Sequence, residues 1–210
     1  MKRAGASQQG SGFILMDNAV VDVYDEGAKA LAVFTRTSIQ QPALKDVHSL
    51  FSDLSFQISF VLIPEQERGL LVQRLTNDTT ADLASFVSNG GTLIVAYAGG
   101  YSSLFSSVFG WTLTAQSCGG TTWLDETAAS DTVFASGPSG LPALDAVMCV
   151  DLNSLPLGSK AVYRDGSAAS VFLAPFGLGT VVGLAPDWYS SSSEWDLVLA
   201  AAVRVSHPGD

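Results

Sequence analysis

Apolar positions along the chain fall into short dense runs separated by polar clusters, and the spacing switches between two periods. "FILMDN" at 13–18 is an apolar run ending in polar residues. "DEGAKALAVFTRTS" at 25–38 places Ala28, Leu31, Ala32 and Thr35 at helical spacing, so a strand followed by a helix is predicted. "PALKDVHSLF" at 42–51 reads as a loop with a short helical turn, and "FQISFVLIP" at 56–64 as a strand stopped by Pro64. A helix is predicted over 79–91, with a Thr cap, an apolar stripe of Ala81, Leu83, Ala84, Phe86 and Val87, and a glycine pair at its end. The run "TLIVAYA" at 92–98 lacks alternation, which suits a central parallel strand buried on both faces.

From residue 112 to 167 the pattern changes to short strands separated by Gly, Pro and Ser clusters, a β-rich excursion. "ASVFLAPFGLGTVVGLAPDW" at 169–188 gives two strands joined at residues 176–179. The following "SSSSEWDLVLAAAVRV" predicts a Ser-capped helix with Trp195, Leu197, Val198, Ala201 and Ala202 apolar. Alternating strands and helices predict a single α/β domain over 13–206, with a mostly parallel sheet and helices on both faces. A flexible leader (1–12) precedes it and a tail (207–210) follows.

Composition narrows the function classes. A chain of 210 residues, 47% hydrophobic, is long enough for one full core. Ten Lys and Arg against 20 Asp and Glu give a net charge of −10, which repels phosphate backbones, so nucleic acid is not an expected partner. The apolar runs are shorter than the roughly 20 residues a membrane span needs, and no secretory leader pattern opens the chain. A soluble protein, cytoplasmic by default, is expected. Cys118 and Cys149 permit at most one internal disulfide and no Cys-only zinc site, and two free thiols in a reducing compartment are the simpler reading, with Cys149 as a small hydrophobe in "AVMCVDL".

"FVSNGGTLIV", a following "FGW", and a late "FGLGTVVGLAPDWY" before a Trp-containing terminal helix resemble the class I glutamine amidotransferase-like superfamily, in particular its trehalose-utilisation-like branches. The resemblance covers most of residues 13–204 and implies a flavodoxin-like α/β domain. Catalytic members hold a Cys in a G-x-C-x-G turn and a His opening a His-Pro-Glu-like segment. Here the first pattern falls on Ala96-Tyr97-Ala98-Gly99-Gly100 and the second on Ala185-Pro186-Asp187, so alanine stands where the nucleophile and the base belong. Covalent acyl transfer needs both groups within hydrogen-bond reach, and a non-catalytic binding or interaction module is therefore expected. The competing readings are a hydrolase using Ser102 or Ser103 with a non-His base, since His48 and His207 are the only histidines, and an assembly domain of a larger polypeptide.

"GLGTVVG" at 177–183 leads into a strand rather than a helix, so a dinucleotide cofactor is not expected. The acids Asp17, Asp22, Asp25, Glu65 and Glu67 could ligate a hard cation if loops gathered them, but scattered surface carboxylates are the ordinary reading and no metal is expected. Ligands of open parallel sheets collect at the carboxyl ends of the strands. Those ends carry Asp17, Asn18, Glu65, Ala98, Gly99, Gly100, Tyr101, Asp187, Trp188 and Tyr189. Flat aromatics beside acids suit a sugar or another neutral polar ligand, and a protein partner is the alternative occupant.

Overall fold

The computed structural model describes residues 11–54, 57–97, 102–144, 147–190 and 192–205. Strand β1 (Ser11–Leu15), helix α1 (Glu26–Arg36), β2 (Ala43–Lys45), α2 (Val47–Asp53), β3 (Ile58–Ile63), α3 (Asn77–Ser88), β4 (Thr92–Ala96) and α4 (Ser102–Phe109) make up the first half. β5 (Ala115–Ser117), β6 (Thr122–Leu124), α5 (Glu126–Ala129), β7 (Gly140–Leu141), β8 (Met148–Asp151) and β9 (Lys160–Asp165) follow. The chain then forms β10 (Ala168–Phe176), β11 (Gly179–Leu184) and α6 (Ser193–Ala202).

These strands join one 11-stranded sheet in the order β2-β1-β3-β4-β11-β10-β9-β6-β7, with β8 paired to β10 and β5 to β8. The first five in that order are mutually parallel, whereas β10, β9, β6, β7, β8 and β5 pair antiparallel. The sheet is therefore mixed, and the parallel sheet that was expected is found only in those five strands. The β-rich excursion is present, but β9, β6 and β7 extend the main sheet beyond the β10–β11 hairpin instead of covering one end.

β4 is interior, between β3 and β11, and every residue of it is buried, as a run without alternation requires. β1 begins at Ser11, inside the expected leader. Ser11 pairs with Ile58, and Gly12 lies under the Phe60 ring, where a Cβ would come within 2.1 Å of it. A side chain there would have to displace the ring.

Other elements also depart from the pattern. Thr76 caps α3 through a reciprocal box with Thr79, one turn earlier than expected. The buried stripe of α1 is Glu26, Gly27, Ala30, Val33 and Phe34 rather than Ala28, Leu31, Ala32 and Thr35, because Phe34 stacks on Phe60 of the sheet at 6.1 Å. Leu197 is exposed: Trp195, Val198, Leu199 and Ala202 take the core face of α6 at i, i+3, i+4, i+7, and position 197 points away from it.

Crossovers from β1 to β2 and from β3 to β4 step in opposite directions along the sheet, and right-handed connections then place α1 and α3 on opposite faces. In keeping with this, α1 packs on α6, tied by a two-pronged ion pair of Arg36 with Asp196 at 2.6 and 2.8 Å, while α3 packs on α4. Cys118 and Cys149 are bonded to each other, which corrects the expectation of free thiols. The antiparallel pairing of β5 with β8 carries the segment around Cys118 up to buried Cys149. No helix among the described residues is long and apolar enough to cross a membrane.

Candidate functional site

Opposite crossover directions leave a crevice between the carboxyl ends of β1 and β3, where no helix crosses and where ligands of such sheets collect. The loops entering it are locked together. Val20 accepts backbone hydrogen bonds from Arg68 (3.0 Å) and Gly69 (3.3 Å), joining the β1–α1 loop to the β3–α3 loop. A side chain at position 69 would place its Cβ 2.7 Å from the Ala19 carbonyl, so glycine permits the approach.

On the α2 and α3 side of the crevice, Asp17 organises the end of β1. Its Oδ1 accepts from the Ala19 amide at 2.9 Å and its Oδ2 from the Val47 amide at 3.2 Å, fixing the entry to α2. Asp46 caps α2, and the Ser49 amide it accepts holds its carboxyl below the usual range. Together with His48, Phe51, Arg74, Thr76 and Thr79, these residues line an open hollow of about 380 Å³. Carboxylates, a guanidinium, hydroxyls and one aromatic face it, so it offers donors and acceptors of both signs.

On the α1 side the same loops gather acids. Asp22 is paired with Arg68 (Nη2 to Oδ2, 2.5 Å), and that bond holds its carboxyl below the usual range. Glu26, in the first turn of α1, is only 2% exposed, and its Oε2 has no hydrogen-bond partner among the described residues. Burial, reinforced by the neighbouring Glu67 and Asp25 charges, pushes the Glu26 carboxyl up to about 7. One oxygen each from Asp22, Glu26 and Glu67 lies within 4.8 Å of the others.

Asp187, after β11, completes this lip. It is 4% exposed, its Oδ1 accepts from the Tyr189 amide at 2.8 Å, and burial raises its carboxyl while Lys29 opposes the rise. Lys29 pairs with Asp25, donates to the Tyr189 carbonyl at 2.8 Å, and sits 4.4 Å from the Tyr189 ring centre.

The raised Glu26 carboxyl has a thermodynamic consequence. Folded protein holds this proton more tightly than the unfolded chain, whose carboxyl titrates near 4.5. Its contribution is complete below about pH 4.5 and is lost as pH rises through about 7, so stability declines across that window. Glu26→Gln should remove the decline and raise the unfolding free energy at pH 8 by about 1 to 3 kcal/mol, measured by urea denaturation at both pH values.

Of the sequence-predicted residues, Asp17 lines the hollow, Asp187 lies on the acid lip, and Tyr189 is 59% exposed beside it. Asn18 is exposed and Glu65 half-buried on the strand-end loops. Trp188 is wholly buried and belongs to the core, so it presents no flat surface to solvent. Ala98, Gly99, Gly100 and Tyr101 lie outside the described residues. Ser102 and Ser103 open α4. The acids gather as Asp22 and Glu67 around Glu26, and Asp17, Asp25 and Glu65 are not part of that triad.

Sequence reasoning missed Glu26, His48, Phe51, Arg74, Thr76 and Thr79. Only the Thr76–Thr79 box leaves a local signal, a hydroxyl repeated at the spacing of a reciprocal cap.

No protein-family model matches the chain, and no curated protein matches it. Solved structures do. A cytoplasmic protein of Salmonella typhimurium LT2 aligns over 85% of this chain and 86% of its own, at 13% identity and a TM-score of 0.62. A protein of Bacteroides uniformis described as ThuA-like aligns over 97% and 94%, at 11% identity and 0.61. The exo-β-1,4-mannosidase of Opitutaceae bacterium strain TAV5 aligns over 96% of this chain but 37% of its own, at 15% identity and 0.59. This chain thus spans little more than a third of that enzyme. The likeness is one of fold.

Proposed function

We propose that this protein is a non-catalytic binding domain of flavodoxin-like, amidotransferase-like architecture, and that its ligand is a sugar or another neutral polyhydroxyl compound seated in the β1–β3 crevice. The observation carrying this reading is the 380 Å³ hollow lined by Asp17, Asp46, His48, Arg74, Thr76 and Thr79 around Phe51. Carboxylate acceptors and a guanidinium donor can bracket vicinal hydroxyls, while Phe51 and Val47 offer apolar surface to a ring's C–H face. Opposed charges on the walls favour a ligand without net charge. The sequence supports the non-catalytic part, with Ala98 and Ala185 at the positions that the family's nucleophile and base would take.

Thermal-shift titration against mono- and disaccharides and polyols should give a stabilising hit that exposed Arg74→Ala weakens by about tenfold, the scale of one lost charge-assisted hydrogen bond. The same preparation should not turn over glutamine or activated esters. Turnover abolished by Ser102→Ala or Ser103→Ala would establish the hydrolase reading instead. An assembly domain is the second reading, favoured because this fold accounts for 37% of a larger glycosidase chain. Size-exclusion shifts with a protein partner and no response to any small ligand would support it.

A further inference from the structure

We propose that Asp22, Glu26 and Glu67 form a binding site for a hard divalent cation on the α1 lip of the crevice. This goes beyond the polyhydroxyl reading and does not rest on it, because the residues concerned are not those of the hollow. Each carboxylate contributes an oxygen, and the three oxygens lie within 4.8 Å of one another. Oxygens gathered that closely can meet on one hard cation, whose oxygen distances run from about 2.0 Å for magnesium to about 2.6 Å for calcium.

The second observation concerns Glu26 itself. It is 2% exposed and its Oε2 has no hydrogen-bond partner among the described residues. A carboxylate in that setting requires a proton, a donor or a cation. Of the nearby cations, Lys29 is held by Asp25 and the Tyr189 carbonyl, and Arg68 is bonded to Asp22 within the triad itself. Exposure grades outward from Glu26 through partly buried Asp22 to exposed Glu67, which gives an ion a route in from solvent. Binding would take Asp22 Oδ2 from Arg68, and the Arg68 guanidinium, on an exposed side chain, can withdraw into water. The chain's net charge of −10 raises the local concentration of cations.

Calorimetric titration of the chelator-treated full chain with CaCl₂ at pH 8 tests this. One site is expected, with a dissociation constant below about 1 mM. Glu67→Gln, an exposed change that leaves the fold intact by circular dichroism, should weaken Ca²⁺ binding at least about tenfold, and Asp82→Asn on the exposed face of α3 should not. No heat up to about 10 mM Ca²⁺, or binding that Glu67→Gln retains, overturns the site. Polyhydroxyl binding lost in Arg74→Ala and kept in Glu67→Gln separates the two proposals.

Discussion

Reducing the Cys118–Cys149 disulfide, or replacing Cys149 by alanine, should lower the unfolding free energy by about 3 to 4 kcal/mol and the melting temperature by roughly 10 °C. The two residues are 31 apart in sequence, and closing a loop of that length removes this much freedom from the unfolded chain on the chain-entropy account. Local structure makes the bond matter more. β5 is three residues long, pairs among the described residues only with β8, and leaves its side chains exposed or half-buried. β8 in turn reaches the sheet through two partners on β10, Ala168 and Ala169. The β5–β8 pair thus hangs from the sheet by a short ladder, and the disulfide holds it closed. Denaturation with and without dithiothreitol measures the effect, and curves that coincide would contradict it.

Trp188→Ala should cost about 3 to 5 kcal/mol, the range for removing a fully buried large aromatic. Trp188 has no exposed surface, and its backbone sits at φ 71°, in the left-handed region that non-glycine residues avoid. Alanine would keep that strain and lose the ring. Trp188→Gly should therefore be more stable than Trp188→Ala by about 1 kcal/mol, the reverse of the usual order. Chemical denaturation of the three proteins decides this, and an alanine variant as stable as the parent would show that the ring contributes nothing to the core.

Much of the fold was legible in the sequence because it rests on long apolar runs. β4 was readable as an interior strand from a run without alternation, and the β10–β11 hairpin from two apolar segments around a glycine turn. Strand direction was not legible. β10 is buried through seven of its nine residues, so its composition matches that of a parallel strand and only its hairpin partner sets its orientation. β2 escaped because Ala43, Leu44 and Lys45 carry no apolar pattern, and pairing with β1 alone makes them a strand.

The site divides along the same line. Asp17 and Asp187 were legible as strand-end acids, since topology alone fixes where strands end. Glu26 looks like an ordinary solvated acid in the first turn of a helix. Its burial arises from the Val20 contacts with Arg68 and Gly69, which join segments more than 40 positions apart and leave no local trace. The cysteine pairing was likewise hidden, because the β5–β8 register that brings the two together is tertiary.

The central claim is that ligand binds in the β1–β3 crevice. Its most direct test is amide chemical-shift mapping of the uniformly ¹⁵N-labelled chain titrated with the best polyhydroxyl ligand from the thermal-shift panel. Perturbations should concentrate at Asp17, at residues 46–51 on the entry to α2, and at residues 74–79 around the α3 cap. Perturbations confined to the β10–β11 turn at 176–179 and the strands of the β-rich excursion, with those three segments silent, would contradict it.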